Sequence, residues 1–145
     1  MSSAFLPSSP SPPAAPDRDA VFFVVGTGRS GSTLLQAILS CHPRLSIPPE
    51  VRYFGYRDPA VRFADPLPEA DIPAYIEDCR RDMWWEEIGV PLDELEQSLR
   101  EGRRSAREIF LWVLRRLSPP EAQRIGEKTP PHIMYIDRIF EVCPE

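Results

Sequence analysis

The chain has 145 residues, the size of one ordinary domain, with 27% charged and 42% hydrophobic residues. That is enough apolar material for a packed core. The formal net charge of −5 argues against a general binder of nucleic acid or anionic membrane, although a local basic pocket is compatible with it. The apolar run at residues 20–25 is far short of the about 20 residues that a membrane-spanning helix needs. No basic stretch followed by an apolar one opens the chain, so a cytoplasmic protein without leader or anchor is expected. Three widely spaced cysteines, Cys41, Cys79 and Cys143, form no CxxC or Cys/His cluster. Free, mostly buried thiols are expected, and neither a disulfide scaffold nor structural zinc. Of the 17 basic residues, Lys128 is the only lysine.

Residues 1–19 are rich in Ser, Pro and Ala and too poor in apolar side chains to offset their ordering entropy. They read as a disordered tail, with the folded domain over 20–145. Residues 21–25, Val-Phe-Phe-Val-Val, are apolar on both faces, the pattern of a central strand in a covered parallel sheet. A glycine-punctuated loop follows, from Gly26 to Gly31. Next, Leu34, Leu35, Ile38 and Leu39 mark an apolar stripe on a helix that ends before His42-Pro43. Leu45 and Ile47 suggest a second short strand. Residues 50–71 have no sustained period and read as irregular, with one helical turn.

Residues 72–88 read as one helix and 91–100 as another, the latter ended by Gly102. Ser105 and Glu108 fit a capping box that opens a helix carrying Ile109, Phe110, Val113, Leu114 and Leu117. Residues 72–118 thus form a helical insert. A short strand at 124–128 and a turn at Thr129-Pro130-Pro131 lead to a helix over 131–142, with Ile133, Ile136, Ile139 and Phe140 on one side. The fold class is α/β: a P-loop-like three-layer fold with a parallel sheet.

The loop carries the clearest chemistry. A buried strand, glycines and a helix start aim main-chain N–H groups and the positive end of a helix at an anion. Ser30, Ser32 and Thr33 add hydroxyls, and Arg29 adds a fork of charged donors. The spacing equals a Walker A loop, but Ser32 stands where its phosphate-binding lysine belongs. That substitution speaks against an ATP or GTP hydrolase.

Residues 24–35, Val-Val-Gly-Thr-Gly-Arg-Ser-Gly-Ser-Thr-Leu-Leu, resemble the 5′-phosphosulfate loop of sulfotransferases that use 3′-phosphoadenosine-5′-phosphosulfate (PAPS). The likeness is to the branch that includes tyrosylprotein sulfotransferases and many bacterial relatives. The family's helix ending in His-Pro, followed by a Glu, has its counterpart in His42-Pro43 and Glu50. Its acidic-Lys-Thr-Pro pattern appears as Glu127-Lys128-Thr129-Pro130. Gly28 replaces the family's usual proline, and Pro49 replaces an acidic residue.

The resemblance implies PAPS as sulfuryl donor, no metal, and in-line transfer to a hydroxyl or amine. It implies that Gly28, Arg29, Ser30, Gly31, Ser32 and Thr33 hold the 5′-phosphosulfate. Glu50 would be the base, Arg29 and Lys128 would stabilise the leaving group, and Arg52 would orient the acceptor or Glu50. A small molecule, a carbohydrate and a peptide all stay open as acceptor, and nucleic acid and membrane are not expected partners. Relatives carry a 3′-phosphate-binding half after the last helix, so a truncated fold with an unpaired sheet edge is expected. A P-loop nucleotide-binding or kinase-like protein and a non-catalytic truncated module are the alternative readings. The remaining candidates read as structural: His42 at a helix end, His132 without an evident Asp or Ser partner, and Trp84-Trp85, one in the core and one lining a cleft or interface.

Overall fold

A computed structural model describes residues 20–144; the tail expected at 1–19 lies outside them. Three parallel strands form one sheet: β1 (Val21–Val24), β2 (Leu45–Ser46) and β3 (Arg124–Lys128), in the order β1-β3-β2. β1 and β3 pair from Val21 opposite Ile125 to Val24 opposite Lys128, and β2 sets Ser46 opposite Ile125. The α/β class is as expected, but the central strand is β3 and not β1. β1 is apolar on both faces yet pairs on one side only among the described residues. Apolar composition reports burial of faces and not the number of strand neighbours.

Six α-helices accompany the sheet: α1 (Ser32–Ser40), α2 (Ile72–Arg80), α3 (Met83–Glu87), α4 (Leu92–Arg100), α5 (Ala106–Arg116) and α6 (Ile136–Val142). The right-handed crossover rule puts α1 on one face of the sheet. The return from β2 to β3 runs the opposite way, so α5 falls on the other face. The insert is helical as expected, but 72–88 is two helices. Asp82 interrupts them, its carboxylate accepting from the Trp84 amide at 3.0 Å, an N-cap that starts α3. The last helix likewise opens as a 3₁₀ segment, Pro130–Tyr135, before α6.

α5 begins with the anticipated capping box. Ser105 Oγ accepts from the Glu108 amide at 3.3 Å, and Glu108 Oε2 accepts from the Ser105 amide at 3.0 Å. The Ser105 hydroxyl and amide together hold the Glu108 carboxyl below its usual range. The core lies between α5, the insert and the sheet. Phe23 of β1 stacks on Phe110 of α5 at 5.7 Å, and Phe54 and Tyr53 pack on the same ring at 5.0 and 5.1 Å. Burial of each such ring contributes about 1.5–3 kcal/mol.

The segment after β2, read as irregular, is irregular but not peripheral. Val51, Tyr53 and Phe54 are completely buried. Asp58 and Asp65 in the same segment both bind the Arg138 guanidinium, at 2.6 Å each, and tie it to α6. The apolar stripe of α1 behaves differently: Leu34, Leu35 and Ile38 are exposed, and no residue of α1 is buried. Of the face expected on the last helix only Ile139 is buried, while Ile133, Ile136 and Phe140 are exposed. Among the described residues no helix is long and apolar enough to cross a membrane.

Candidate functional site

The candidate residues leave the sheet from the carboxyl ends of all three strands. The glycine loop follows β1, Glu50 follows β2, and Lys128 ends β3. In an open parallel sheet this edge is where ligands bind. The loop is pinned to it by the Gly26 amide, which donates to the carbonyl of Pro130 at 3.1 Å.

Within the loop, Gly31 stands at φ 85° and serves as N-cap of α1 without a side-chain cap. Only glycine adopts that backbone without strain. Arg29 also lies in the left-handed region, at φ 63°, at a cost of about 1–2 kcal/mol for a residue with a Cβ. A Cβ at Gly28 would meet open space, so the departure from the family's proline is not a steric requirement. The amides of Ser32, Thr33 and Leu34 make no main-chain hydrogen bond among the described residues, as expected of a first helical turn. No acidic residue occupies that turn. The Arg29 guanidinium has no partner among the described residues, and Ser30 and Thr33 are exposed. Free amides, hydroxyls, an unpaired guanidinium and a helix N-terminus form a donor set that suits the phosphosulfate end of PAPS.

The second part of the site joins two residues 78 positions apart. Lys128 Nζ donates to Glu50 Oε1 at 2.5 Å. The lysine side chain is 5% exposed and the glutamate 22%. Glu50 Oε2 faces no donor among the described residues, and Lys128 keeps two N–H groups without partners. The pair therefore offers an acceptor oxygen and an ammonium side by side.

Behind this pair lies a buried network that sequence reasoning missed. Thr129 Oγ1 donates to Glu127 Oε1 at 2.5 Å, and Nδ1 of His132 stands 2.9 Å from Glu127 Oε2. A carboxylate that accepts a hydrogen bond from the threonine hydroxyl on one oxygen is matched on the other by an Nδ1–H donor, the tautomer that suits this contact. Thr129 Oγ1 in turn accepts from the Arg52 amide at 3.3 Å. Thr129 and His132 are fully buried, and Nε2 of His132 has no partner among the described residues. The signal that could have found it was a Glu and a His at either end of a strand-to-turn step, with the strand central.

The two tryptophans part as expected, Trp85 in the core and Trp84 half-buried. Their indoles bind adjacent carbonyls. Trp84 Nε1 donates to Glu50 O, and Trp85 Nε1 donates to Val51 O at 2.7 Å. The Arg52 guanidinium lies over the Trp84 ring, 4.0 Å from its centroid. Arg52 itself is at φ 46°, the second strained non-glycine residue of the site. His42 stays outside: it is exposed, and its Nδ1 accepts from the Arg44 amide at 3.2 Å. Two surface clefts of about 630 and 600 Å³ also lie elsewhere, along α5 near Trp112 and between α2 and α4. No cluster of three or more His, Cys, Asp or Glu suited to a metal ion occurs among the described residues.

Neither the curated proteins nor the solved structures gave a match to this sequence. A family model described as the sulfotransferase family matches residues 21–145. The match runs from the first residue of β1 through the loop, the insert and β3. With an α/β fold of the P-loop-like kind and a glycine loop after its first strand, the chain belongs to the sulfotransferase family.

Proposed function

We propose that this sulfotransferase uses PAPS and delivers its sulfuryl group in line to a hydroxyl or amine acceptor. The observation that carries the reading is the convergence of the loop, Glu50 and Lys128 on one sheet edge. Residues 28–33 would hold the 5′-phosphosulfate through main-chain amides, hydroxyls and Arg29. Bound there, PAPS supplies an activated sulfuryl group on a phosphate leaving group. Glu50 Oε2 accepts the proton of the attacking hydroxyl or amine while Lys128 fixes the other oxygen. Lys128 Nζ and the Arg29 guanidinium hold positive charge where negative charge develops. A lysine suits this place because its ammonium is a compact point charge, in a chain that otherwise uses arginine. Arg52 orients the acceptor beside Glu50. A small molecule, a carbohydrate and a peptide fit this chemistry equally.

Calorimetry with the desulfated cofactor tests the donor, run beside Mg·ATP and repeated on Arg29→Ala. Binding of the adenosine bisphosphate, its loss in the variant, and no heat with Mg·ATP are expected. The reverse preference would overturn the reading in favour of a kinase-like protein. In a turnover assay Glu50→Gln and Lys128→Ala should each lower the rate by a factor on the order of 10² or more. Unchanged rates would move those two roles to other residues.

A further inference from the structure

The segment that carries Glu50 has no regular secondary structure, yet its main chain is held at three consecutive residues. The Glu50 carbonyl accepts from the Trp84 indole, the Val51 carbonyl from the Trp85 indole, and the Arg52 amide donates to Thr129 Oγ1. Trp84 acts twice, since its ring also supports the Arg52 guanidinium. Two adjacent residues of α3 thus grip two adjacent carbonyls 34 positions earlier in the chain. The strained backbone of Arg52 at φ 46° fits a turn whose shape is imposed from outside.

A buried indole needs an acceptor for its N–H, and both indoles here find theirs on adjacent carbonyls of this one turn. Trp84 is half-buried and packs against the edge of the core, and Trp84→Phe keeps most of that apolar contact. α3 is itself fixed to the same segment by Arg57, whose guanidinium pairs with the α3 N-cap Asp82 at 2.5 Å. The helix and the turn are therefore one unit.

We propose that Trp84 and Trp85 are positioning residues for the Glu50–Lys128 pair, which makes the helical insert the element that sets the carboxylate opposite the ammonium. The inference rests on the pair described under the proposed function. If the Glu50 carbonyl is released, the turn loses one of its three ties. The carboxylate can then swing away from Lys128 Nζ, a displacement of the size that degrades acid–base geometry.

Lys128 is the only lysine, so ¹⁵N-lysine labelling of the full chain gives one side-chain Nζ signal. Glu50→Gln provides the reference shift for loss of the ion pair. Trp84→Phe keeps a ring beneath Arg52 but removes the N–H donor. It should move the Lys128 signal in the direction of the Glu50→Gln reference, by about half the difference or more, with thermal unfolding little changed. Trp85→Phe should move it in the same direction, together with a lower unfolding temperature. If Glu50→Gln shifts the signal and neither tryptophan variant does, the positioning role is overturned and the pair stands. If Glu50→Gln itself leaves the signal in place, the pair is absent and the proposal falls with it. The wild type offers a check that needs no variant. The Nε1–H groups of Trp84 and Trp85 should exchange with solvent at least about tenfold more slowly than that of Trp112, which has no hydrogen-bond partner among the described residues. Equal exchange at Trp84 and Trp112 overturns the proposal even where the variants fail to fold.

Discussion

On the α5 side of the sheet, Phe23 stacks on Phe110, and Tyr53, Phe54 and Trp85 are excluded from solvent. On the α1 side, Leu34, Leu35 and Ile38 face outward and no residue of the helix is fully buried. The two halves of the candidate site divide along the same line. Glu50 and Lys128 rest on the aromatic core through Val51, Thr129 and the two tryptophans. The glycine loop leads directly into α1, where Gln36 is bonded to the carbonyls of Ile47 and Pro48 at 3.1 Å each. The Glu50–Lys128 pair is thus fixed by packing, while the free donors of the glycine loop lead into an element with little packing of its own. Ligand-binding elements commonly come from the less stable end of a structure.

The contrast can be tested through the thiols, where the largest effect is expected. Cys41, next to α1, is exposed; Cys79 and Cys143 are buried. Under native conditions Cys41 should react with an aromatic disulfide reagent faster than either of the others by a factor on the order of 10³ or more. Comparable rates at all three would mean that the core side opens as readily as the loop side. Burial also pushes the Cys79 thiol up from 9.0 to about 12 and raises Tyr53 and Tyr75 well above their ordinary value. Groups raised on folding contribute stability that is fully present below their unfolded values. The urea midpoint should therefore hold up to about pH 9 and fall as pH climbs toward 12.

A smaller effect is expected from Phe110→Ala, which removes the ring that three other aromatics share. Unfolding free energy should drop by about 3–5 kcal/mol, read by urea titration. The smallest belongs to Leu34→Ser. On an exposed face it should change stability by less than about 0.5 kcal/mol, and a loss of several kcal/mol would show that α1 is covered in solution.

What could be read in the sequence was what is local. Gly26 to Thr33 declares itself because strand, glycine turn and helix start are contiguous. Ser105 and Glu108 declare the start of α5 for the same reason. The stripe Leu34-Leu35-Ile38 was legible as amphipathic, but periodicity cannot tell what lies opposite a face. Asp82 was hidden by the apolar repeat that runs through it, since a cap in mid-pattern looks like a surface residue of one long helix. The burial of Val51, Tyr53 and Phe54 follows no period at all. The Glu50–Lys128 contact spans 78 residues, and only the parallel order β1-β3-β2 brings its members together. Glu127 and His132 lie only five positions apart, but no helix or strand period pairs the end of a strand with a residue of the turn after it.

Lys128 has one more consequence. It is the one side-chain amine of the protein, almost fully enclosed and clasped by Glu50. An acylating reagent that reaches a side-chain amine of this sequence reaches Lys128, inside the candidate site. Because the clasp must let go before Nζ can react, the acylation rate at Lys128 is a clock for how often that ion pair opens.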